Sequence, residues 1–435
     1  MTGMSIGRLA LMIIAACLLL GAVPSAAAHS LPAAGGTGTP SAPAPLAASV
    51  HVTIPIGTKA DGLAYDPKNF DVYIANQGSN NVSVISSVTH AHFSIAVGKA
   101  PYGVTFDPDN GKLYVANYNS TNLSIISGST NKVVANPSLG ANAHPVGSFF
   151  DPASGNVLVL NSSSDLGLGV GWMIINATNA VKKLTFGLGT IDYAGYNPKS
   201  KDLYLPNFLA GTISAITGSG AVTTIKVGGY PNFVYVNPAN NDTYAYGTDG
   251  PPYLARISVI SSSNQVVKNL TLHSVNSLFP NPFGYDPSTK NSYFDGFNGT
   301  TNKSSLVVIS STNTVSATIS LGVGEFSYAV YDPANRDMYL TSIVKSIVVV
   351  SGTTITKTLK LSQSVSLLVY DPTLKDMVGA GEANATTASI LYLITSANAV
   401  SSLKVGKLAI AAFYDPKDTY VYVVNIGSKN VELVG

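Results

Sequence analysis

Side chains suited to ligand binding recur a few residues before a repeated Asp-Pro or Asn-Pro pair. They carry aromatic, amide, imidazole, ammonium or carboxylate groups: Lys59, Tyr102, His144, Asp192, Tyr230, Asn232, Asn281, Glu325, Tyr328 and Lys407. Aromatic rings and amides suit sugars and peptide backbones, so we expect a ligand-binding site among these residues. Under the competing interpretation, each polar side chain only satisfies the backbone of its own turn.

Sequence motifs of catalysis are poorly represented. A Gly-x-Ser-x-Gly match at residues 3–7 is interpreted as a chance match, and no His-Glu-x-x-His, Walker or Cys-x-x-Cys-His sequence occurs. His90 and His92 would share one face of a strand, but two imidazoles without a nearby carboxylate make a weak metal site. Residues 107–111 resemble the start of a calcium loop, yet the acidic residue needed downstream is Tyr118. We expect no catalytic residue, metal or cofactor.

The composition excludes one broad class of partner. Charged residues make up 11% of the chain, and the formal net charge is +2. A nucleic-acid-binding protein carries a basic patch or stripe, so we expect no nucleic-acid partner. The polar surface must be built from Ser, Thr, Asn, Gly and Tyr, and such a low charge density suits an acidic or salty exterior.

The N-terminus has the pattern of an export signal. Arg8 precedes an apolar segment at residues 9–23, and small residues up to Ala28 offer a cleavage site. The apolar segment is shorter than the roughly 18 residues that a membrane span requires, so we expect an exported chain without a transmembrane segment after cleavage. The predicted organisation is a signal peptide at 1–28, a flexible Pro/Ala/Gly-rich spacer at 29–48 and one folded domain at 49–435.

The single cysteine, Cys17, lies inside this leader. Residues 14–17 resemble a lipoprotein cleavage box, but cleavage there would leave an apolar stretch at residues 18–23 on the mature protein. Cleavage near Ala28 would instead give a mature chain without cysteine. We therefore expect no disulfide bond and no cysteine-based metal site.

An Asp-Pro or Asn-Pro pair repeats along the folded domain. Its first residue is Asp66, Asp107, Asp151, Asn197, Asn237, Asp286, Asp332, Asp371 or Asp415. The period is roughly 40–50 residues, and each period contains four short β-like segments, which is typical of propeller blades. In the second unit these segments are 103–106, 112–116, 122–127 and 132–135. Asp or Asn before Pro favours a type I turn, which explains the pair without any catalytic role.

The two ends of the domain predict how the ring closes. The ninth unit supplies segments 411–414, 420–424 and 430–434 and lacks a fourth, whereas residues 49–57 form a strand without a preceding partner. Pairing the two would satisfy both open edges. The expected fold is therefore all-β, a single closed β-propeller of nine four-stranded blades.

Four segments resemble the Tyr-Val-Thr-Asn signature of YVTN-family propellers. They are Tyr-Ile-Ala-Asn at 73–76, Tyr-Val-Ala-Asn at 114–117, Tyr-Leu-Pro-Asn at 204–207 and Tyr-Val-Val-Asn at 422–425. Val-Gly-x-x-Pro segments at 97–101 and 227–231 match the same pattern. The resemblance covers residues 49–435 and implies an archaeal surface-layer or cell-surface protein. The chain departs from the family in replacing the signature Thr and in having nine units where seven are expected.

Strand order assigns the loops to two faces. The loops before each first strand and between second and third strands share one face, called the top face, and the Asp-Pro turns lie on the opposite, bottom face. The top loops vary most, for example at residues 161–171, 247–255 and 295–303, and variable loops on a rigid ring are typical recognition elements. Many Asn-x-Ser/Thr sequons fall there, and we expect N-glycans on several of Asn81, Asn119, Asn122, Asn161, Asn176, Asn241, Asn269, Asn298, Asn302 and Asn384.

Two functions remain open from the sequence. The favoured one is a non-enzymatic, extracellular or envelope-associated protein that binds a protein or glycan at the cell surface. The alternative is a secreted hydrolase or lyase, because the fold resembles propeller lactonases that hold a divalent metal at the channel mouth. Glu325 and Asp192 could contribute to such a site, although no further ligand is evident.

Overall fold

The computed structural model describes residues 48–162, 168–190, 193–250, 253–278, 284–324, 326–372, 374–381 and 386–435. In these residues the regular secondary structure consists of β-strands, and no helix occurs. The predicted signal peptide and all but the last residue of the predicted spacer lie outside the described residues.

The strands form nine sheets, which are the nine blades of a propeller. Blades 1 to 8 take their strands in sequence order from the inside outwards, with antiparallel pairing. Blades 1 to 3 comprise Ala60–Asp66, Asp71–Asn76, Asn81–Ser86 and His92–Ala96; Pro101–Asp107, Lys112–Asn117, Leu123–Ser127 and Lys132–Ala135; and Pro145–Asp151, Asn156–Asn161, Leu168–Ile175 and Ala180–Leu188.

The middle of the ring follows the same order, except that blade 6 begins with two short strands in place of one. Blades 4 to 6 comprise Gly195–Asn197, Asp202–Asn207, Thr212–Thr217 and Val222–Lys226; Tyr230–Val236, Thr243–Thr248, Ala255–Ile260 and Val266–Leu272; and Ser277–Leu278 with Gly284–Asp286, Asn291–Asn298, Lys303–Ile309 and Val315–Val323. Blades 7 and 8 comprise Phe326–Asp332, Asp337–Ser342, Ser346–Ser351 and Thr354–Lys360; and Val365–Asp371, Asp376–Gly381, Ala388–Ile394 and Val400–Lys407.

Blade 9 contains strands from both ends of the domain. It comprises Ala409–Tyr414, Val421–Asn425, Asn430–Val434 and, as the fourth strand, Val50–Pro55. The N-terminal strand pairs antiparallel with the last strand, with Ile54 opposite Val431. The predicted nine-bladed ring and its closure are therefore confirmed.

The first strands converge around the axis, and the fourth strands form the rim. First strands of neighbouring blades contact one another, and the second and third strands are buried on both faces because sheets stack on each side. The fourth strand of blade 7, by contrast, is exposed along most of its length. This layering explains why the central segments of each unit are continuous runs of β-branched and aromatic residues.

The hydrophobic core lies between blades. Trp172 is only 3% exposed and packs with Tyr114 and Phe150 between blades 2 and 3. Near the axis the backbones approach so closely that a Cβ atom on Gly62 would overlap the Tyr102 carbonyl oxygen of the next blade. Glycine is therefore required where two first strands meet.

The Asp-Pro turns on the bottom face have the side-chain to backbone hydrogen bonds that are typical of the type I turns predicted from the sequence. The carboxylate of Asp66 accepts a hydrogen bond from the Lys68 amide at 2.8 Å, and Asp107 accepts one from the Asp109 amide at 2.9 Å. The side-chain oxygen of Asn197 accepts an equivalent hydrogen bond from the Lys199 backbone amide at 2.9 Å. These side chains serve the turns, so the turn interpretation of the repeat holds.

A recurring set of polar bonds, here called the interblade latch, connects several of these turns to the next blade. Between blades 1 and 2, Asn69 Nδ2 donates to the Tyr73 hydroxyl at 2.9 Å, and that hydroxyl donates to Asn131 Oδ1 at 2.5 Å. Asn131 Nδ2 donates a hydrogen bond to Asp71 Oδ2 at 2.9 Å. The tyrosine of the signature is thus a buried tie between neighbouring blades.

Candidate functional site

A groove of about 470 Å³ opens on the top face between blades 4 and 5. Three chain segments meet there: the loop after the second strand of blade 4, the connection from blade 4 to blade 5, and the loop after the second strand of blade 5. The lining residues are Leu209, Ala210, Gly211, Thr212, Lys226, Gly228, Gly229, Tyr230 and Gly250. The groove therefore combines the two kinds of loop that define the top face.

The ring of Tyr230 forms an aromatic wall of this groove and packs against the ring of Phe208. The ring centroids lie 5.2 Å apart with an interplanar angle of 37°. Tyr230 is held because it begins the first strand of blade 5 and pairs with Thr248. Phe208 follows Asn207, the last residue of the second strand of blade 4. Such a pair offers a rigid apolar face with a polar edge, which suits a sugar ring or a peptide.

Glycine backbone forms another part of the lining. Gly211, Gly228 and Gly229 have φ values of 62°, 76° and 58°, in the left-handed region that other residues rarely adopt. A Cβ atom on Gly229 would lie 2.6 Å from the Thr248 carbonyl oxygen, so a side chain has no room there. Because these glycines have no side chain, their backbone peptide groups line the groove directly and can form hydrogen bonds with a ligand.

Charges at the groove are few and mainly positive. Arg256 Nη1 bonds to Asp249 Oδ1 at 3.0 Å, and Arg256 Nε donates to Ser258 at 3.3 Å. Lys226 is exposed at the end of the fourth strand of blade 4 and lines the groove. The ion pair fixes the wall behind Gly228, while Lys226 supplies a cation to the ligand side. This arrangement favours a ligand with hydroxyl or acidic groups.

A second aromatic cluster occupies the top face at blades 2 and 3. The rings of Tyr102 and Tyr118 lie 6.3 Å apart, and those of Tyr118 and His144 lie 5.5 Å apart. His144 Nδ1 is 3.1 Å from the Tyr118 carbonyl oxygen, and its backbone N–H donates to Asn161 Oδ1 at 2.6 Å. Two predicted site residues, Tyr102 and His144, are thus brought together by a third that the sequence analysis missed.

The two missed aromatic residues share one sequence position. Tyr118 follows Asn117 and Phe208 follows Asn207, so both come directly after the asparagine that ends a second strand. This position begins the variable top loop. The sequence signal was therefore present, but the predicted set was drawn only from residues that precede first strands.

Asp61 is a further residue that the sequence analysis missed. It stands five residues before Asp66, as Tyr102 does before Asp107 and Asn232 before Asn237. Its Oδ1 is buried and has no hydrogen-bond partner in the described part of the chain. Burial raises its pKa from 3.8 to about 7. A carboxyl group that gains or loses a proton near neutral pH therefore lies in the first strand of blade 1.

The other predicted site residues are dispersed. Asn232 is half-buried in the first strand of blade 5. Tyr328 is only 8% exposed and packs in the core with Leu367, so its ring is not part of the groove. Lys59 and Lys407 precede blades 1 and 9. Three predicted residues lie outside the described residues: Asp192, Asn281 and Glu325.

Metal-ligating side chains do not cluster in the described residues. No group of three or more His, Cys, Asp or Glu residues occurs there in a geometry that could hold an ion. His90 and His92 do not act as a pair, because His90 Nε2 lies 3.2 Å from Asp418 Oδ2 in blade 9. His92 begins the exposed fourth strand of blade 1.

The sequons differ in accessibility. Asn119, Asn269 and Asn302 are exposed. Asn176 is half-buried on the bottom face and accepts a hydrogen bond from Asn110 of the neighbouring blade. The remaining described sequon residues are half-buried: Asn81, Asn122, Asn161, Asn241 and Asn298. Asn384 lies outside the described residues.

Across the residues that the structure describes, no helix is long and apolar enough to span a bilayer.

Solved propellers with similar folds have very different sequences. The Dos1 propeller superposes with a TM-score of 0.57 at 8% identity, over 88% of this chain and 95% of that one. Sqt1 of Saccharomyces cerevisiae gives 0.51 at 12% identity, over 82% and 98%. Dihydro-heme d1 dehydrogenase NirN, in complex with DHE, gives 0.52 at 16% identity, over 69% of this chain and 66% of that one. At these identities the likeness shows the propeller fold alone.

No protein-family model matches the chain, and no curated protein matches it in sequence.

Proposed function

We propose that this propeller is a non-enzymatic protein of the cell surface that binds a glycan or a protein through its top face. The observation that carries the proposal is the groove between blades 4 and 5, where variable loops bring an aromatic wall, bare glycine backbone and the cation of Lys226 together. Recognition sites are commonly built from such loops on a rigid scaffold.

The YVTN-type, archaeal surface-layer assignment forms part of the proposal. It is supported by the place of the signature residues, since Tyr73, Tyr114, Tyr204 and Tyr422 are each fully buried in second strands. The signature asparagines are also buried, and Asn76 donates to Ser83 at 2.9 Å, as Asn207 does to Ser214 at 3.0 Å. A signature explained by recurring structural bonds is what a repeat family would retain.

Export and surface location rest on the leader at residues 1–28 and on exposed sequons such as Asn119 and Asn302. An extracellular or envelope-associated protein with N-glycans fits both. The low proportion of charged residues, 11%, fits an exterior where ion pairing contributes little to stability.

The test of binding uses variants of the groove. Tyr230→Ala and Lys226→Ala should each weaken binding of an acidic or neutral oligosaccharide, or of a surface protein, by about tenfold or more. Phe93→Ala is a matched control, because Phe93 is 46% exposed on the outer rim, far from the groove in the blade order. Surface plasmon resonance on a panel of such ligands measures the change. Unchanged affinity in both groove variants would contradict the proposal that this groove is the binding site.

One observation favours the alternative of a secreted, metal-dependent hydrolase or lyase. Asp61 keeps a buried, unpartnered carboxylate oxygen, and it stands five residues before its Asp-Pro pair, as Asp192 does before Asn197 in the sequence. Cell fractionation with glycan mapping, combined with metal analysis of the purified protein, separates the two functions. Retention in the envelope with glycans at Asn119 or Asn302 supports a surface protein. Free secretion with one bound metal ion that Asp61→Asn abolishes supports the enzyme.

A further inference from the structure

Blade 9 differs from the other blades because its third and fourth strands come from opposite ends of the domain. The fourth strand, Val50–Pro55, leads directly into blade 1, whereas backbone hydrogen bonds to Asn430–Val434 hold it to the three C-terminal strands. Non-covalent contacts of these three strands with Val50–Pro55 and with blade 1 therefore decide whether the ring stays closed.

At four of the other seams the tyrosine hydroxyl of the interblade latch bonds to a neutral side chain. An asparagine with positive φ, in the turn between the third and fourth strands, accepts a hydrogen bond from the tyrosine hydroxyl of the preceding blade, and at several of these seams its amide donates to an aspartate such as Asp71 or Asp202. These bonds run from Tyr73 to Asn131 at 2.5 Å, from Tyr204 to Asn264 at 2.5 Å, from Tyr244 to Asn313 at 2.5 Å and from Tyr339 to Asn398 at 2.8 Å. None of these donor or acceptor side chains changes charge near neutral pH.

At the closing seam the same positions carry ionisable groups. His90 has a φ of 55° and occupies the turn position that asparagine holds elsewhere. Asp418 stands three residues after the turn aspartate, where Asn69 stands in blade 1 and Asn335 in blade 7. Asp418 Oδ2 accepts a bond from the Tyr422 hydroxyl at 2.6 Å and lies 3.2 Å from His90 Nε2. A histidine–aspartate pair has thus replaced the asparagine pair.

The pair is partly shielded from water. The side chain of Asp418 is 8% exposed and that of His90 is 28% exposed, so their attraction is screened less than that of a surface pair. The Asp418 carboxylate also accepts hydrogen bonds from the Tyr422 hydroxyl and, at Oδ1, from the Tyr420 backbone amide at 3.0 Å. These two bonds fix the position of the carboxylate independently of His90.

Several other titratable groups face this seam. The Tyr420 ring lies 5.8 Å from the His90 ring and 5.1 Å from the His51 ring, and His51 Nε2 lies 2.9 Å from the Gly435 carbonyl oxygen. Five more titratable residues lie near the pair. His92 is on the same hairpin as His90, Tyr65 is in the first strand of blade 1, and the other three are in blade 9: Asp415, Lys417 and Tyr422. Asp415 is fully buried and accepts a hydrogen bond from Ser87.

We propose that the His90–Asp418 pair makes closure of the ring pH-dependent. A protonated imidazole donates a charge-assisted bond to a carboxylate, and histidine changes charge between about pH 5 and 8. The latch is strongest where the imidazole is cationic and the carboxylate anionic. As pH rises the imidazole becomes neutral, the charge attraction is lost, and the C-terminal strands part more readily from blade 1.

Asp415 acts in the same direction. Burial raises its pKa, with an opposing contribution from its hydrogen bond with Ser87. A carboxyl group that is more easily protonated when buried than in the unfolded chain favours the closed seam in acid. Both groups therefore favour the closed seam at lower pH.

Hydrogen exchange of the backbone amides in Val50–Pro55 tests the proposal. After correction for the intrinsic pH dependence of exchange, their protection in the intact chain should fall about three- to tenfold between pH 5.5 and 8. The amides of Thr354–Lys360, the rim strand of blade 7, report the change common to all blades. A fall in Val50–Pro55 that does not exceed the fall in this reference strand overturns the proposal.

Two variants assign the effect to the pair. His90→Asn together with Asp418→Asn supplies the two asparagines found at the seam of blades 7 and 8, and it should remove most of the excess loss of protection while the ring stays closed; the rest belongs to Asp415. Asp418→Asn alone should give the same loss of pH dependence with lower protection at pH 5.5. As a matched control, Asn335→Asp with Asn398→His places the charged pair at the seam of blades 7 and 8, where it should leave Val50–Pro55 unchanged. Persistence of the wild-type pH dependence in the double-asparagine variant contradicts the proposal.

Discussion

At the scale of residues, the second-strand tyrosines account for much of the recurring sequence pattern. Tyr204 is fully buried, and its hydroxyl contacts Ser200 Oγ at 3.0 Å and Asn264 Oδ1 of the next blade at 2.5 Å. Asn264 Nδ2 then donates to Asp202 at 2.9 Å. Buried polar groups in such a network are stable only while every member is bonded, so the tyrosine, the asparagine and the aspartate depend on one another.

Tyr204→Phe should destabilise the protein by about 1–2 kcal/mol. The substitution keeps the ring but leaves Asn264 Oδ1 without its donor in a buried place. Urea unfolding at neutral pH measures the change in free energy of unfolding. Tyr253→Phe is the control, because Tyr253 is 55% exposed on the top face, and it should change stability by less than about 0.5 kcal/mol. Equal effects in the two variants would mean that the latch contributes nothing.

At the scale of elements, the first strands set how tightly the ring can close around its axis. The first strands of blades 1, 2 and 3 carry glycine at the same place, at Gly62, Gly103 and Gly147. A Cβ atom at Gly103 would lie 3.1 Å from the Val146 carbonyl oxygen, and one at Gly62 would overlap that of Tyr102. Backbone contacts of this kind cannot be relieved by turning a side chain, so the strands themselves would have to move.

Gly62→Ala is therefore expected to lower the free energy of unfolding by more than about 2 kcal/mol, because the added methyl group meets fixed backbone. Thermal unfolding followed by circular dichroism measures the loss. Gly250→Ala is the matched control, since a Cβ atom there meets nothing within 4 Å, and its melting temperature should stay close to that of the wild type. A Gly62→Ala protein as stable as Gly250→Ala would show that the first strands are not closely packed.

At the scale of the whole molecule, buried carboxyl groups outnumber ion pairs among the residues that the structure describes. Burial is the largest cause of a raised pKa at Asp61, and it raises the pKa of several turn and strand aspartates as well: Asp66, Asp71, Asp107, Asp332, Asp376 and Asp415. Asp286 is an exception, because four hydrogen bonds from Ser288 and Thr289 together outweigh its burial and lower its pKa. The balance favours a protein that is more stable in mild acid.

The sign follows from proton binding. The pKa of Asp61 in the folded chain, about 7, lies above its ordinary value of 3.8, so the folded chain binds more protons between these two values. The stabilising contribution is complete below about pH 4 and is lost as the pH rises through 7. For this group we expect on the order of 1–2 kcal/mol more stability at pH 5 than at pH 8, a value reduced for its partial contact with solvent.

Asp61→Asn should remove this part of the pH dependence. Urea unfolding of the wild type and the variant at pH 5 and pH 8 gives the four free energies needed. The variant should lose little stability at pH 5 and gain relative to the wild type at pH 8, because an amide is neutral at both. Parallel pH profiles would contradict a raised pKa for Asp61.

The sequence by itself determined the blades and their number. Each strand pairs with its neighbour along the chain, so Asp-Pro turns and short β-branched segments specify a blade locally, and the nine repeats specify the ring. Even the long-range closure followed from an unpaired segment at each end of the domain. Tyr102, His144 and Tyr230 were also selected as site candidates from their positions before first strands, and their role in binding stays a prediction.

Only the tertiary structure decided which of these residues meet. The groove joins loops from two blades, so Phe208 and Tyr230 become neighbours through blade stacking that no local spacing encodes. The burial of Tyr328 and the unpartnered oxygen of Asp61 depend in the same way on surroundings beyond their own turns. Repeats fix local pairing because it is short-range, whereas a site on a ring is set by how successive sheets twist and stack.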